Sequence, residues 1–156
     1  MNIRSLLLQN WDYCMDQEDW YPPLLHALKD VTLEQALWKP EEGAVNSIWE
    51  NVQHLLYFKE RLLKRLSGAS EDQNAPGNDE TFRIPEASES GWVRAKSKLV
   101  EVHASVRHAL EHLPEEEVEN NPQRFLSLIT HDAYHTGQII LLGKLQGSWP
   151  ATRSYL

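Results

Sequence analysis

Two histidines four positions apart, His131 and His135, stand inside a long apolar run, His131-Asp132-Ala133-Tyr134-His135-Thr136-Gly137-Gln138-Ile139-Ile140. On a helix, four residues advance about 6 Å along the axis and leave the two side chains about 40° apart in azimuth. Both imidazoles then reach one ion through nitrogen–metal bonds of about 2.0–2.1 Å. Leu128, His131, His135, Gln138 and Leu142 fall on one side of that helix, so the pair points into a bundle rather than into water. Two readings fit the spacing. The pair is part of a metal site whose third ligand comes from elsewhere, or it is two core histidines bonded to backbone carbonyls.

Such a pair needs elements to hold it, and the chain reads as helices. Residues 3–15 form a first helix, which the stretch 16–23 interrupts with Pro22 and Pro23 before helix resumes through Leu24, Leu25 and Leu28. Thr32 and Gln35 form a capping box for a short turn of helix that Pro40 and Gly43 end. Asn46 or Ser47 caps the second long helix, with Glu50 placed to answer Ser47; it runs to about Ser67 and stops at Gly68. Its apolar arc holds Ile48, Val52, Leu55, Leu56, Leu62, Leu63 and Leu66, and His54 lies at one edge of that arc. Spacing alone reads His54 as half-exposed rather than as a ligand. Residues 68–88 are polar and rich in Gly, Pro, Asn and Asp, a long loop with an extended segment at 81–84.

The third helix spans 89–113 on a seam of Trp92, Ala95, Leu99, Val102, Val106, Ala109 and Leu113. A second pair with the same spacing, His108 and His112, shares a face with Glu101 and Ser105 and reads as solvated, while His103 flanks the seam in a structural role. Glu115-Glu116-Glu117 is a surface acid run suited to a helix N-terminus. Pro122 opens the fourth helix, which runs to about Gln146 and closes at Gly147. It is apolar on nearly every face, which places it at the centre of the fold or in a subunit interface. Four long helices without strand periodicity, joined by one long connection, make an all-α four-helix bundle, one domain over residues 1–156.

Composition narrows the partners. The net charge of −8 argues against nucleic acid and against an anionic membrane surface. No apolar run reaches the roughly 18–20 residues of a spanning helix, and the first apolar residues are too short a run for a signal peptide. One cysteine, Cys14, forms no internal disulfide, so a cytoplasmic location is expected. The six tryptophans are scattered and lack basic neighbours, which suits core filling better than base stacking.

Asn46-Ser47-Ile48-Trp49 opening the second helix, His54 within it, and His131-x3-His135-x-Gly137-Gln138-Ile139 in the fourth together resemble the DinB superfamily, over nearly the whole chain. The resemblance implies an up-down-down-up bundle, whose crossover the 68–88 loop supplies. It also implies a divalent metal ion, zinc or nickel, held by His54, His131 and His135, and pairing into a homodimer. Residues 16–23 are less typical of the family. Three protein ligands leave a coordination position open, the catalytic pattern for zinc. Related bundles are transferases and isomerases that use low-molecular-weight thiols such as bacillithiol, mycothiol or glutathione. The resemblance therefore implies a small-molecule thiol and an electrophile as partners. A metal-dependent hydrolase and a non-enzymatic, metal-stabilised bundle are the alternatives.

Other residues carry two readings each. Gln138 orients a ligand or water, or is a buried amide; Glu50 stands behind His54 or only caps its helix; Cys14 is a resolving thiol or an inert core residue. Asp132 points about 100° away from its neighbour and reads as structural. No general base is evident.

Overall fold

The computed structural model describes residues 2–70 and 73–150. They form seven α-helices: α1 (Ile3–Met15), α2 (Leu24–Leu28), α3 (Leu33–Leu37), α4 (Ile48–Leu66), α5 (Glu89–His112), α6 (Glu115–Asn120) and α7 (Gln123–Leu145). Among the described residues of the connection between α4 and α5 is one 3-10 turn, Asp79–Phe82.

Local chemistry sets most of the boundaries. The Asn2 side chain accepts from the Ser5 amide at the start of α1. Thr32 and Gln35 close one capping box, Ser47 and Glu50 another. Ser47, not Asn46, is the cap of α4. Gly68 and Gly147 take φ of +79° and +71° just beyond α4 and α7, a conformation that costs glycine little and ends a helix. Two expectations are corrected. Residues 81–84 are not extended, because Thr81 and Phe82 belong to the 3-10 turn. The C-terminal part of the α5 seam runs through Leu110, fully buried, with Ala109 and Leu113 only half-buried. There Arg4 of α1 crosses the end of α5 and donates to the carbonyls of Leu110, Glu111 and Leu113 at 2.6, 3.0 and 2.6 Å, capping its C-terminus from another helix.

Contacts fix the direction of each long helix. Trp49 packs on Trp92 and Lys59 reaches His103, so α4 and α5 run parallel. Arg4 meets the end of α5 while Trp11 donates to the His103 carbonyl further back, so α1 opposes α5. Asn51 meets His135 and Phe58 meets His131, so α4 opposes α7. The order is up-down-down-up, with α1 and α4 each packed against both α5 and α7. Two parallel neighbours in succession require a long return, and residues 67–88 provide it, folding the 3-10 turn back onto α4.

The interior is split. One apolar cluster includes Val52, Leu55, Leu99 and Ile139; the other includes Leu62, Val106 and Ile129. Where the clusters meet, the buried residues are mostly polar: Lys59 on α4, with His54 beside Leu55; His103, next to Val102, on α5; and Asp132, His135 and Thr136 on α7. A polar layer thus crosses the bundle between two hydrophobic cores.

Candidate metal centre

Half of that layer is a histidine cluster. His54 is 3% exposed, so the edge position in the apolar arc does not leave it half-exposed as spacing suggests. The reason is tertiary: α7 packs along one side of it and the 3-10 turn covers the other. Phe82 stacks on the His54 ring at 3.9 Å and 10°, and Phe58 presents its ring to His54 and His131 at 4.9 and 5.1 Å between centroids. One ring nitrogen each of His54, His131 and His135 lies within 4.8 Å of the others.

Hydrogen bonds behind the rings determine which nitrogen carries the proton. The Thr81 hydroxyl donates to the Asn78 carbonyl at 2.5 Å, so its oxygen is free to accept from Nδ1–H of His54, also at 2.5 Å. The Asn51 side chain donates its amide to the Asn46 and Ser47 carbonyls, and its Oδ1 accepts from Nδ1–H of His135 at 2.7 Å. Both tautomers are fixed with a bare lone pair on Nε2. His131 sets its own Nε2 2.9 Å from that of His54, while its buried Nδ1 has no partner. With Nε2 of His54 bare, the proton in that contact is on Nε2 of His131, which donates to His54; a cation that takes the place of this one proton meets three bare nitrogens in a desolvated pocket.

The residues fit a borderline divalent ion: three imidazoles, one nitrogen of each within 4.8 Å of the others and the His54–His131 pair 2.9 Å apart, against the about 3.3 Å that such bond lengths give in a tetrahedron. Burial pushes His54 down to about 4 and His135 to about 3, the neighbouring histidines adding to the effect, and it lowers His131 as well. All three are neutral near pH 7, the state in which imidazole binds metal.

A cavity of about 1020 Å³ opens over the cluster, and Gln138 and Tyr134 line it beside the histidines. The remaining residues singled out in the sequence lie elsewhere. Glu50 completes the α4 capping box and pairs with Lys39 at 2.6 Å. Cys14 is buried, does not line the cavity, and has its thiol pushed up to about 12 by desolvation and then by Asp132, which suits an inert core residue. His108 and His112 are exposed, with Glu111 beside them, as their face predicts. Asn51, Thr81 and Phe82 were not anticipated. Asn51 carried a signal, since it lies one turn before His54 on the same side of α4; Thr81 and Phe82 carried none, being placed by a loop.

The other half of the polar layer is Lys59, Asp132 and His103. Lys59 is fully buried, pairs with Asp132, donates to Nδ1 of His103 at 3.1 Å and stands 4.3 Å over the Trp11 ring. Trp11 in turn stacks on His103 at 4.5 Å. Burial raises the Asp132 carboxyl, against the opposing pull of Lys59. Desolvation, helped by Lys59, holds His103 down to about 2.

His103 is therefore neutral when folded and protonates near pH 6.5 when unfolded. Its contribution to stability is complete above that value and is lost as pH falls toward 2. We expect unfolding free energy to decline below pH 6.5 with a slope of up to about 1.4 kcal/mol per pH unit from this residue. Denaturant melts from pH 7 to 4 should show a shallower decline in His103→Gln, which does not titrate. An unchanged slope in that variant contradicts the assignment.

The comparisons with known proteins come to one family. No curated protein and no solved structure matches the chain. The model of the DinB superfamily matches residues 22–139, which include α2 through the middle of α7 and all three clustered histidines. No helix among the described residues is long and apolar enough to cross a membrane. With that match over most of its length, and an up-down-down-up bundle whose polar layer gathers His54, His131 and His135, the chain belongs to the DinB superfamily.

Proposed function

We propose that His54, His131 and His135 hold a divalent cation, zinc or nickel, and that the protein is a transferase joining a low-molecular-weight thiol to an electrophile. The observation that carries this reading is the pair of fixed tautomers: Thr81 and Asn51 each occupy an Nδ1 and leave an Nε2 directed at the cluster. Three protein donors leave a position open toward the cavity. When bound, the cation supplies Lewis acidity, keeping a thiol sulfur deprotonated at neutral pH.

The chain's own residues do the rest. Phe58 and Phe82 wall the histidines from water, and Gln138 offers an amide to a bound group. Transfer forms a carbon–sulfur bond while the electrophile's leaving group departs with its electron pair; the thiol proton goes to solvent. Hydrolysis needs a positioned base, and the only carboxylate among the described cavity residues is Asp79 on the 3-10 turn. That favours transfer over the hydrolytic alternative.

On the same reading, residues 1–156 act as one domain, in the cytoplasm, as a homodimer. Support for pairing comes from α7, which exposes Leu126, Tyr134, Leu141 and Leu145 along one arc, Tyr134 at 66% and Leu145 at 59%. The functional test is conjugation of a chromogenic electrophile by zinc- or nickel-loaded protein with a panel of small thiols. Turnover abolished by chelation and restored by metal is the expected result. No metal-dependent conjugation with any thiol returns the protein to the non-enzymatic alternative.

A further inference from the structure

The spacing that pairs His131 with His135 occurs a second time, and the fold leaves that second pair in solvent. His108 and His112 stand one turn apart at the end of α5, with Glu111 between them in sequence, and all three residues are exposed. Exposed side chains on one turn of helix ordinarily spread, since holding them together costs rotamer freedom. These three converge. The two rings lie 4.1 Å apart between centroids at 39°, against 4.5 Å for His131 and His135. One nitrogen of each ring and one carboxylate oxygen of Glu111 lie within 4.8 Å of one another, the same span as in the buried cluster.

Hydrogen bonding again selects the tautomer. A carbonyl oxygen only accepts, so Nδ1–H of His112 donates to the His108 carbonyl, at 2.8 Å. That holds the ring against its own helix and leaves the neutral imidazole a bare lone pair on Nε2. The nearby cations do not take the carboxylate. Arg107 is held by Asp12 through bonds of 2.7 and 3.1 Å and reaches Glu111 only at 3.6 Å. Arg4, which caps the end of the same helix, is paired with Glu115 at 2.8 Å. The last turn of a helix favours positive charge through its dipole, and the net charge of −8 adds attraction at longer range.

From this convergence we infer that His108, Glu111 and His112 form a second site for a borderline divalent cation, zinc or copper(II). Two imidazoles and a carboxylate are donors that such ions accept. The order His-x-x-Glu-His on a helix is also that of one class of zinc sites. The site lies on a different helix from the buried histidines and does not depend on them. It is the weaker of the two, because nothing walls its donors from water and the Glu111 side chain must be ordered when the ion arrives. Water fills the remaining coordination positions. The bound ion clips the last turn of α5 where Arg4 of α1 crosses it.

The test titrates zinc into untagged, chelator-stripped full-length protein and follows uptake by calorimetry. The unaltered chain should take two equivalents, one tight and one weaker, and competition against a tight chelator should read the buried centre alone. His108→Gln combined with His112→Gln should lose the weaker equivalent, keep the tight one and melt as the parent does without metal. Glu111→Gln should weaken the second class by at least about tenfold, the scale at which even a group that only supports a ligand is felt. The same uptake by the parent and by the double glutamine variant overturns the inference, and an unaltered second class in Glu111→Gln overturns the three-donor site. Failure of the buried centre reads differently: the parent then takes one equivalent, which the double glutamine variant loses. That result keeps the surface site while removing the metal from His54, His131 and His135.

Discussion

His135→Ala should abolish high-affinity zinc binding while leaving the bundle folded, and His54→Ala should do the same. Each loses a nitrogen from a set of three, more than the roughly 10–100-fold cost of disturbing a group that only orients a ligand. That smaller effect is the one expected for Asn51→Ala and Thr81→Val, which free the Nδ1 of His135 and His54 and release the tautomers without removing a donor. Competition with a chromophoric chelator measures both classes on untagged protein. The ordering carries the argument: ligand variants beyond reach of the assay, orienting variants intermediate, His108→Ala unchanged because that ring is exposed on another face. Thermal melts give an independent reading. A ligand that binds only the folded state adds about 4 kcal/mol at a thousand times its dissociation constant, so the unaltered protein should lose several degrees on chelation and His135→Ala none. If His54→Ala binds zinc as well as the parent, His54 is not a ligand and the open three-histidine centre is wrong.

How far the sequence reaches depends on whether a feature is local. The ends of α1, α3 and α4 follow from Asn2, Thr32 with Gln35, and Ser47 with Glu50, groups within three residues of the amides they satisfy. The facing of His131 and His135 follows from helical geometry and the surrounding leucines. His54 is different. Its place at an arc edge is compatible with either exposure, and what buries it is Phe82 and Thr81, twenty-seven and more residues away on a loop whose path no periodicity encodes. Only the family likeness, which also supplied the topology, singled it out. The divided core was legible in part and overlooked. Lys59 sits at the fourth place after Leu55 and the third before Leu62, inside the buried stripe of α4, and Asp132 interrupts the corresponding stripe of α7. Opposite charges set in two apolar stripes imply that the stripes face each other, because neither group is stable alone in a core.

That pairing underlies the largest stability effect expected. Lys59→Met keeps most of the volume and helix propensity of the residue but leaves the fully buried Asp132 without its cation and His103 without its donor. Breaking one side of a buried pair costs about 3–5 kcal/mol, which in a domain of this size lowers the melting temperature by roughly 10 °C. The double variant Lys59→Met with Asp132→Leu removes both charges and should recover most of the loss, since replacing a whole buried pair with apolar side chains is often neutral or stabilising. Circular dichroism melts with chelator present keep metal out of the comparison. A Lys59→Met protein melting within a degree or two of the parent contradicts the buried pair. The double variant also shows what the pair does for the site. Lys59 lies five residues from His54, and Asp132 adjoins His131, so the link joins the two helices that carry the histidines close to where they meet. If it sets their register, the double variant regains stability yet binds zinc more weakly than the parent; if the apolar cores alone set it, stability and affinity return together.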